Sequence, residues 1–252
     1  MGKKDFAKLN QDILDEWEEK FIKAQETLHC DIESLAKIKG LTSDVLAPIY
    51  DGVSDVEAYI KSSPKIMWIL KEPYDNFDEE GNPIGGNYIL MDDLKINRDF
   101  PLEKPLPLTD RRVIYATYGI FTGYEYDDMG WYYDPETYKY LFQIAYINLS
   151  KMPGGKKSGN MTTKFQTWRD IVIKQINLYN PDVIIFGGTF QYLKEDLGID
   201  NTYLVHTEAD WKLNIYNQNN TLFVDTYHPG IPGWDRMYVN KIANNVRQLL
   251  NL

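Results

Sequence analysis

The sequence predicts an α/β protein: a three-layer α/β/α sandwich around a central, mostly parallel four-stranded sheet. Two observations carry this expectation. Four short apolar runs, 66–70, 143–149, 182–186 and 222–226, have the length and continuity of strands covered on both faces. Between them lie segments with apolar residues at helical spacing, and each run ends in a polar or glycine-containing turn, as expected where helical crossovers return parallel strands to one sheet. At 252 residues the chain can bury one substantial core, and we expect a single domain with residues 1–62 as an N-terminal helical extension.

Taken in order, residues 8–38 place Leu9, Ile13, Trp17 and Phe21, then Leu28, Ile32, Leu35 and Ile38, on one amphipathic face, with Gly40 as the expected C-cap. Ser54 and Glu57 have the spacing of a capping box that opens a short helix through Tyr59 and Ile60, and Ser62-Ser63-Pro64 stops it. The first buried strand follows, Ile66-Met-Trp-Ile-Leu70. It ends abruptly in Lys71-Glu-Pro-Tyr-Asp75, where Pro73 fixes its own φ and disfavours the helical region for Glu72.

Residues 77–109 are rich in Gly and Pro and lack periodicity, which reads as a binding loop or lid or as a disordered insertion. Thr109-Asp110 is expected to cap a helix running through Val113, Ile114 and Tyr118 to Gly123. Asp134-Pro135-Glu136 begins another, with Pro at its first position. The second strand, Gln143 to Leu149, runs into a polar loop. Phe165, Trp168, Ile171, Val172, Ile176 and Tyr179 mark a helix stopped by Asn180-Pro181. Asp182 to Phe186 is the third strand, turning at Gly187-Gly188 into a helix from Thr189 to about Leu197. Residues 202–216 suggest a looser β segment, Leu222 to Thr226 is the fourth strand, and a closing helix carries Met237, Ile242, Val246 and Leu250.

Composition narrows the function classes. The single cysteine, Cys30, excludes an internal disulfide, a thiolate-ligated iron–sulfur cluster and a Cys-rich zinc site, and fits a reducing compartment. The charged N-terminus lacks an apolar leader and no stretch has membrane-spanning length, so we expect a soluble cytoplasmic protein without a membrane partner. A formal net charge of −10 argues against gripping long stretches of phosphate backbone, which depends on Lys and Arg releasing counterions, but is compatible with a local basic groove. The 19 Tyr, 10 Phe and 6 Trp supply rings suited equally to stacking on planar ligands and to filling a core.

Three strand ends concentrate polar chemistry: Glu72-Pro-Tyr-Asp75, Asn148 and Tyr227-His-Pro229. In a parallel sheet the carboxyl ends share one edge, where ligands bind. Glu72 can orient a water or oppose positive charge on a sugar, Asn148 can offer a donor and an acceptor to a base edge, and His228 can stabilise a developing oxyanion. Each also has a plainer reading: Glu72 paired with Lys71 or Lys151, Asn148 satisfying loop backbone, His228 capping the last strand. Lys151, Lys156 and Lys157 form either a phosphate-contacting loop or a solvated charge cluster. Gly154-Gly-Lys-Lys-Ser158 fails the spacing of a phosphate loop, since Lys rather than Gly stands before Lys157-Ser158. No Gly-x-Ser-x-Gly elbow occurs, and His29, His206 and His228 lack close metal-ligand spacing, so we expect neither a metal nor a cofactor.

The order of these motifs resembles the uracil-DNA glycosylase superfamily: an apolar strand with Glu72-Pro73-Tyr74, a strand ending in Asn148-Leu149 with Lys and Pro after it, Asn180-Pro-Asp-Val-Ile-Ile-Phe-Gly-Gly188, then His228-Pro229-Gly230. The likeness covers roughly residues 64–252. It implies base excision in DNA repair, in which a damaged or non-standard base is flipped from the stack and its N-glycosidic bond hydrolysed. By this resemblance Glu72 takes the place of the water-activating acid, Tyr74 that of the tyrosine that walls off larger pyrimidines, Asn148 that of the base-reading asparagine and His228 that of the histidine facing the departing base. Asp75 belongs to the same turn. Phe77 and Tyr88 are candidates for the stacking ring, Lys151 for a phosphate contact, and Ile231 or the whole Gly230–Trp234 loop for the segment that wedges into the duplex.

Several positions depart from the pattern. Glu72 is a methylene longer than the usual Asp, Lys71 replaces the opening glycine, and Gly230 stands where Ser usually follows His-Pro. Some branches carry Glu one place earlier, at the position of Lys71, and the lone cysteine excludes the iron–sulfur branches. The competing expectation is a non-catalytic module of glycosylase-like fold that binds a small planar ligand, a nucleotide or a protein partner.

Overall fold

Ile66–Leu70 forms a strand buried along its whole length, and around it the chain lays down both predicted and unpredicted elements. The structure, a computed structural model, describes residues 2–27, 49–73, 76–77, 83–85, 106–151 and 160–252. In chain order these contain helix α1 (Lys3–Thr27), strand β1 (Gly52–Val53), helix α2 (Val56–Lys61) and strands β2 (Ile66–Leu70), β3 (Asn76–Phe77) and β4 (Pro83–Gly85). Helices α3 (Leu108–Thr122) and α4 (Pro135–Tyr138), strand β5 (Ile144–Asn148), helix α5 (Met161–Tyr179), strand β6 (Val183–Gly187) and helix α6 (Phe190–Leu193) follow. Strands β7 (Leu204–Thr207), β8 (Leu213–Gln218) and β9 (Thr221–Thr226) precede the closing helix α7 (Asp235–Leu250). The chain divides into two compact units: residues 1–52, 71–93 and 148–179, and residues 53–70, 94–147 and 180–252.

In the first unit, α1 packs on α5. Ile13 and Trp17 meet Trp168 and Ile171 in one buried cluster, and Phe6 stacks on Tyr179 with ring centroids 5.7 Å apart. The buried stripe of α1 is Phe6, Ile13 and Trp17, whereas Leu9, expected on that face, is 44% exposed. Lys20 with Asp170, and Lys174 with Glu16, form ion pairs between the two helices. The continuation of the N-terminal helical pattern beyond Thr27, with Cys30 and Gly40, lies outside the described residues, as does most of the 77–109 segment. Within that segment Asn76 and Gly85 pair across the short antiparallel β3–β4 ladder.

The second unit holds most of a seven-stranded sheet, ordered β1-β5-β2-β6-β9-β8-β7, with Gly52 and Asn148 at strand ends counted in the first unit. The expected four-stranded, mostly parallel sheet is therefore corrected: β2, β6 and β9 are parallel, while β8 and β7 extend the sheet antiparallel. The cause is local. Asn219 and Asn220 both adopt positive φ, 54° and 66°, and Gln218 pairs with Thr221, making a two-residue hairpin whose twist suits antiparallel strands. The four predicted strands recur as β2, β5, β6 and β9, and β2, β5 and β6 are buried along their whole length as a doubly covered sheet requires.

Helix boundaries follow cap chemistry. Asp55, one residue after the expected Ser54, caps α2 by accepting from Ala58 N–H at 2.9 Å. Asp134 caps α4 with Pro135 first in the helix, as expected. Thr109 and Asp110 lie inside the first turn of α3 rather than capping it, and Gly123 closes that helix at φ 79°. Among the described residues no helix is long and apolar enough to cross a membrane.

Candidate functional site

Glu72 leaves β2 into the first unit with its side chain 5% exposed. Lys164 on α5 donates to Oε2, while Oε1 is buried and has no partner among the described residues. The pairing lysine is thus neither Lys71 nor Lys151. Asn148, at the last position of β5, is 2% exposed, and its side-chain Nδ2 is likewise buried without a partner among the described residues. Ser150 N–H donates to the carbonyl of Lys71 at 2.9 Å, tying the turn that carries Asn148 to the turn that carries Glu72. A buried polar atom left unpaired costs about 1–3 kcal/mol, and among the described residues these two, one acceptor and one donor, stand on turns joined by a backbone hydrogen bond. A ligand that donates to Glu72 Oε1 and accepts from Asn148 Nδ2 recovers that cost.

Beneath Asn148 lies a saturated ionic network. Its backbone N–H donates to Asp51 Oδ2 at 2.7 Å. Lys151 Nζ donates to Asp51 Oδ1 and Oδ2 at 2.8 and 2.9 Å and to Gln175 Oε1 at 2.8 Å, and Gln175 Nε2 donates to Asp51 Oδ1 at 3.0 Å. Trp17 covers the ammonium, which sits 4.7 Å from its ring centroid. Lys151 is fully buried, so it does not reach phosphate in a surface groove as expected. Burial pushes its ammonium below the usual lysine range, and Asp51 opposes that shift.

In the second unit the ends of β2, β6 and β9 crowd together. Gly187 ends β6, and a Cβ there would lie 2.4 Å from Leu70 Cδ2 and 2.8 Å from Pro229 Cδ, so only glycine admits the His-Pro turn so close to the sheet. His228 Nδ1 accepts from Gly230 N–H at 3.0 Å, which places the proton of a neutral imidazole on Nε2. The departure at Gly230 has a steric cause: a Cβ would lie 2.9 Å from Thr109 Oγ1 and 3.1 Å from His228 Nδ1. The first turn of α3 thus closes on the His228 turn. In the same turn, burial raises the Asp110 carboxyl to about 6.

Arg112, 1% exposed, holds the loop that follows His228. Its guanidinium donates to the carbonyls of Pro229, Ile231 and Gly233 and pairs with Asp235 at 2.6 Å. At the loop's end Trp234 takes a left-handed φ of 64°, 58% exposed, with its indole edge-on to Trp211 at 5.1 Å. Ile231 is only partly exposed, so Trp234 is the prominent ring of the expected wedge segment.

Glu72 and Asn148 are brought onto bonded turns in the first unit, while His228 and Ile231 belong to the second. Tyr74, Asp75, Tyr88, Lys156 and Lys157 lie outside the described residues, and Phe77 falls in β3 with its ring outside them. Asp51, Arg112, Lys164 and Gln175 escaped sequence reasoning. Apart from the Lys151–Gln175 bond, which spans 24 positions, their partners stand 92 to 124 positions away, and only their charge or amide chemistry, without local spacing, could have flagged them. Among the described residues no cluster of three or more potential metal ligands occurs. No family model matches the chain, and no curated protein is significantly similar to it.

Proposed function

We propose that the chain is a divergent glycosylase of the uracil-DNA glycosylase type, hydrolysing the N-glycosidic bond of a damaged or non-standard base in DNA. The observation that carries this reading is the pair of buried, open polar atoms on bonded turns: Glu72 Oε1, an acceptor, and Asn148 Nδ2, a donor. Asn148 gives its amide hydrogen to a carbonyl of the flipped base. Glu72, with Oε2 held by Lys164, orients a water through Oε1 and opposes the positive charge that grows on the sugar as the bond to the base lengthens. By the family resemblance alone, His228, whose neutral imidazole carries its proton on Nε2, takes the role of the histidine that opposes negative charge on a departing base. By the family resemblance the 230–234 loop takes the place of the wedge.

The test is release of free base from single- and double-stranded oligonucleotides carrying uracil or hypoxanthine. Wild type releases base, and Asn148→Ala reduces release and blunts discrimination between bases.

Two observations favour a second reading. Lys151, the expected phosphate contact, is buried, and Lys164 neutralises Glu72. A non-catalytic module binding a small planar ligand accounts for both. It predicts saturable binding of a free base or nucleotide with no base release.

A further inference from the structure

We infer that Asp51, clamped by Gln175 and by the Lys151 ammonium that Trp17 of α1 covers, is a positioning residue for Asn148, making the N-terminal helix a working part of the base-reading site. The inference rests on the reading of Asn148 as the ligand-facing amide; the placement of Asn148 is open to a test of its own.

Asp51 receives four hydrogen bonds, more than charge compensation of Lys151 alone requires. Three come from Lys151 and Gln175 and fix the carboxylate in the buried interior. The fourth, from Asn148 N–H, spends the fixed carboxylate on one backbone position at the end of β5. That position carries the amide whose Nδ2 has no partner. The same turn is fastened on both sides, by Ile49 N–H to the Lys151 carbonyl at 2.8 Å and by Ser150 N–H to the Lys71 carbonyl next to Glu72. A side chain that must meet a ligand with its polar atoms desolvated has to be held by its surroundings rather than by its own bonds, and charge-assisted bonds in a water-free interior hold most firmly. Trp17 completes the enclosure. It is fully buried, packs at a tilt against Tyr50 and Trp168, and excludes water from the ammonium it covers. A buried ion pair kept only for stability gains little over apolar packing, whereas one that aims a neighbouring amide cannot be replaced by it.

Two neutral versions of the full-length protein separate the roles. Asp51→Asn/Lys151→Met removes both charges but keeps an oxygen facing Asn148 N–H. Asp51→Leu/Lys151→Met/Gln175→Leu removes the charges and that acceptor together. Hydrogen exchange of the Asn148 backbone amide is read by NMR in each and in wild type, alongside kcat and KM for a uracil-containing oligonucleotide. Wild type is expected to protect this amide most, the first variant to lose less protection and less kcat/KM than the second, and the second to exchange it about tenfold faster or more and lose kcat/KM by a similar factor, as loss of one buried hydrogen bond implies. Equal protection and equal kcat/KM in the two variants overturn the inference, as does an Asn148 amide that exchanges in wild type as fast as one in an exposed turn, a result that stands even if the apolar variant does not fold. If wild type releases no base, the glycosylase reading fails while the exchange arm still decides the positioning role.

Discussion

Lys164 and Glu72 meet across 92 positions of sequence, and the ammonium takes one carboxylate oxygen while leaving the other open. A buried carboxylate with one committed and one open oxygen is oriented but not exhausted. That arrangement suits a group that must hold a water, and it makes Lys164 as consequential as the acid it serves.

Lys164→Met leaves the carboxylate of Glu72 in its buried place without its cation. Stability is expected to fall by about 1–3 kcal/mol, with Glu72→Gln/Lys164→Met recovering part of the loss. Urea unfolding of the wild type, both single variants and the double variant closes the cycle. A coupling of less than about 0.3 kcal/mol would mean the pair is an incidental surface contact.

Arg112 supports the 229–233 loop through three carbonyls at once, a geometry that only a planar fork supplies. Arg112→Lys is therefore expected to cost about 2–4 kcal/mol, since the orphaned carbonyls are not reached by a single ammonium. Hydrogen exchange at Ile231 N–H, bonded to the His228 carbonyl at 3.0 Å, should accelerate more than exchange at Tyr238 N–H, bonded to the Trp234 carbonyl in the first turn of α7. Uniform acceleration at both would place the effect in the whole unit instead of the loop.

Asp110 gives the fold a pH dependence of definite sign. Its folded-state value of about 6 lies above the ordinary 3.8, so between roughly pH 4 and pH 6 the folded state holds a proton that the unfolded state has released. Stability from this group falls as pH rises through that window and levels off above it. Asp110→Asn is expected to stabilise by about 1–3 kcal/mol at pH 7, discounted for the partial exposure of the side chain, and by nothing at pH 3.5. Chemical unfolding at the two pH values reads the difference, and an equal effect at both would contradict the assignment.

Trp234 sits in a left-handed conformation that disfavours a side chain, and it is exposed. Trp234→Gly removes the indole and the strain together, so stability should stay within about 1 kcal/mol of wild type. On the proposed function, affinity for a single-stranded oligonucleotide drops by about tenfold, the scale of one lost base–aromatic stack. Unchanged affinity would remove Trp234 from the nucleic-acid surface.

The central strands were legible because burial on both faces demands an apolar run, which β2, β5 and β6 carry over most of their length and β9 over Leu222–Val224. Strands β7 and β8 were harder to read because they extend the sheet to a partly exposed edge, with Leu204 and Val205 facing solvent, and their sequence carries no continuous run. The signal that would have separated them, Asn219-Asn220, is a hairpin turn whose two positive φ values suit Asn. At the site, the residues at strand ends were readable from chain order: Glu72, Asn148 and His228. Their supports were not. Asp51, Lys164 and Arg112 act through tertiary pairing, and a lysine such as Lys151 reads as a surface cation until the fold encloses it under Trp17.

The most direct test of the proposed chemistry is base release from uracil-containing oligonucleotides by wild type, Glu72→Gln and His228→Ala, each shown to be folded. The account predicts release by wild type, a loss of at least about a hundredfold in kcat when either the water-orienting carboxylate or the imidazole is removed, and retained substrate binding in Glu72→Gln. Wild type that binds the oligonucleotide or free base but releases nothing would contradict it and leave the non-catalytic module as the function of this fold.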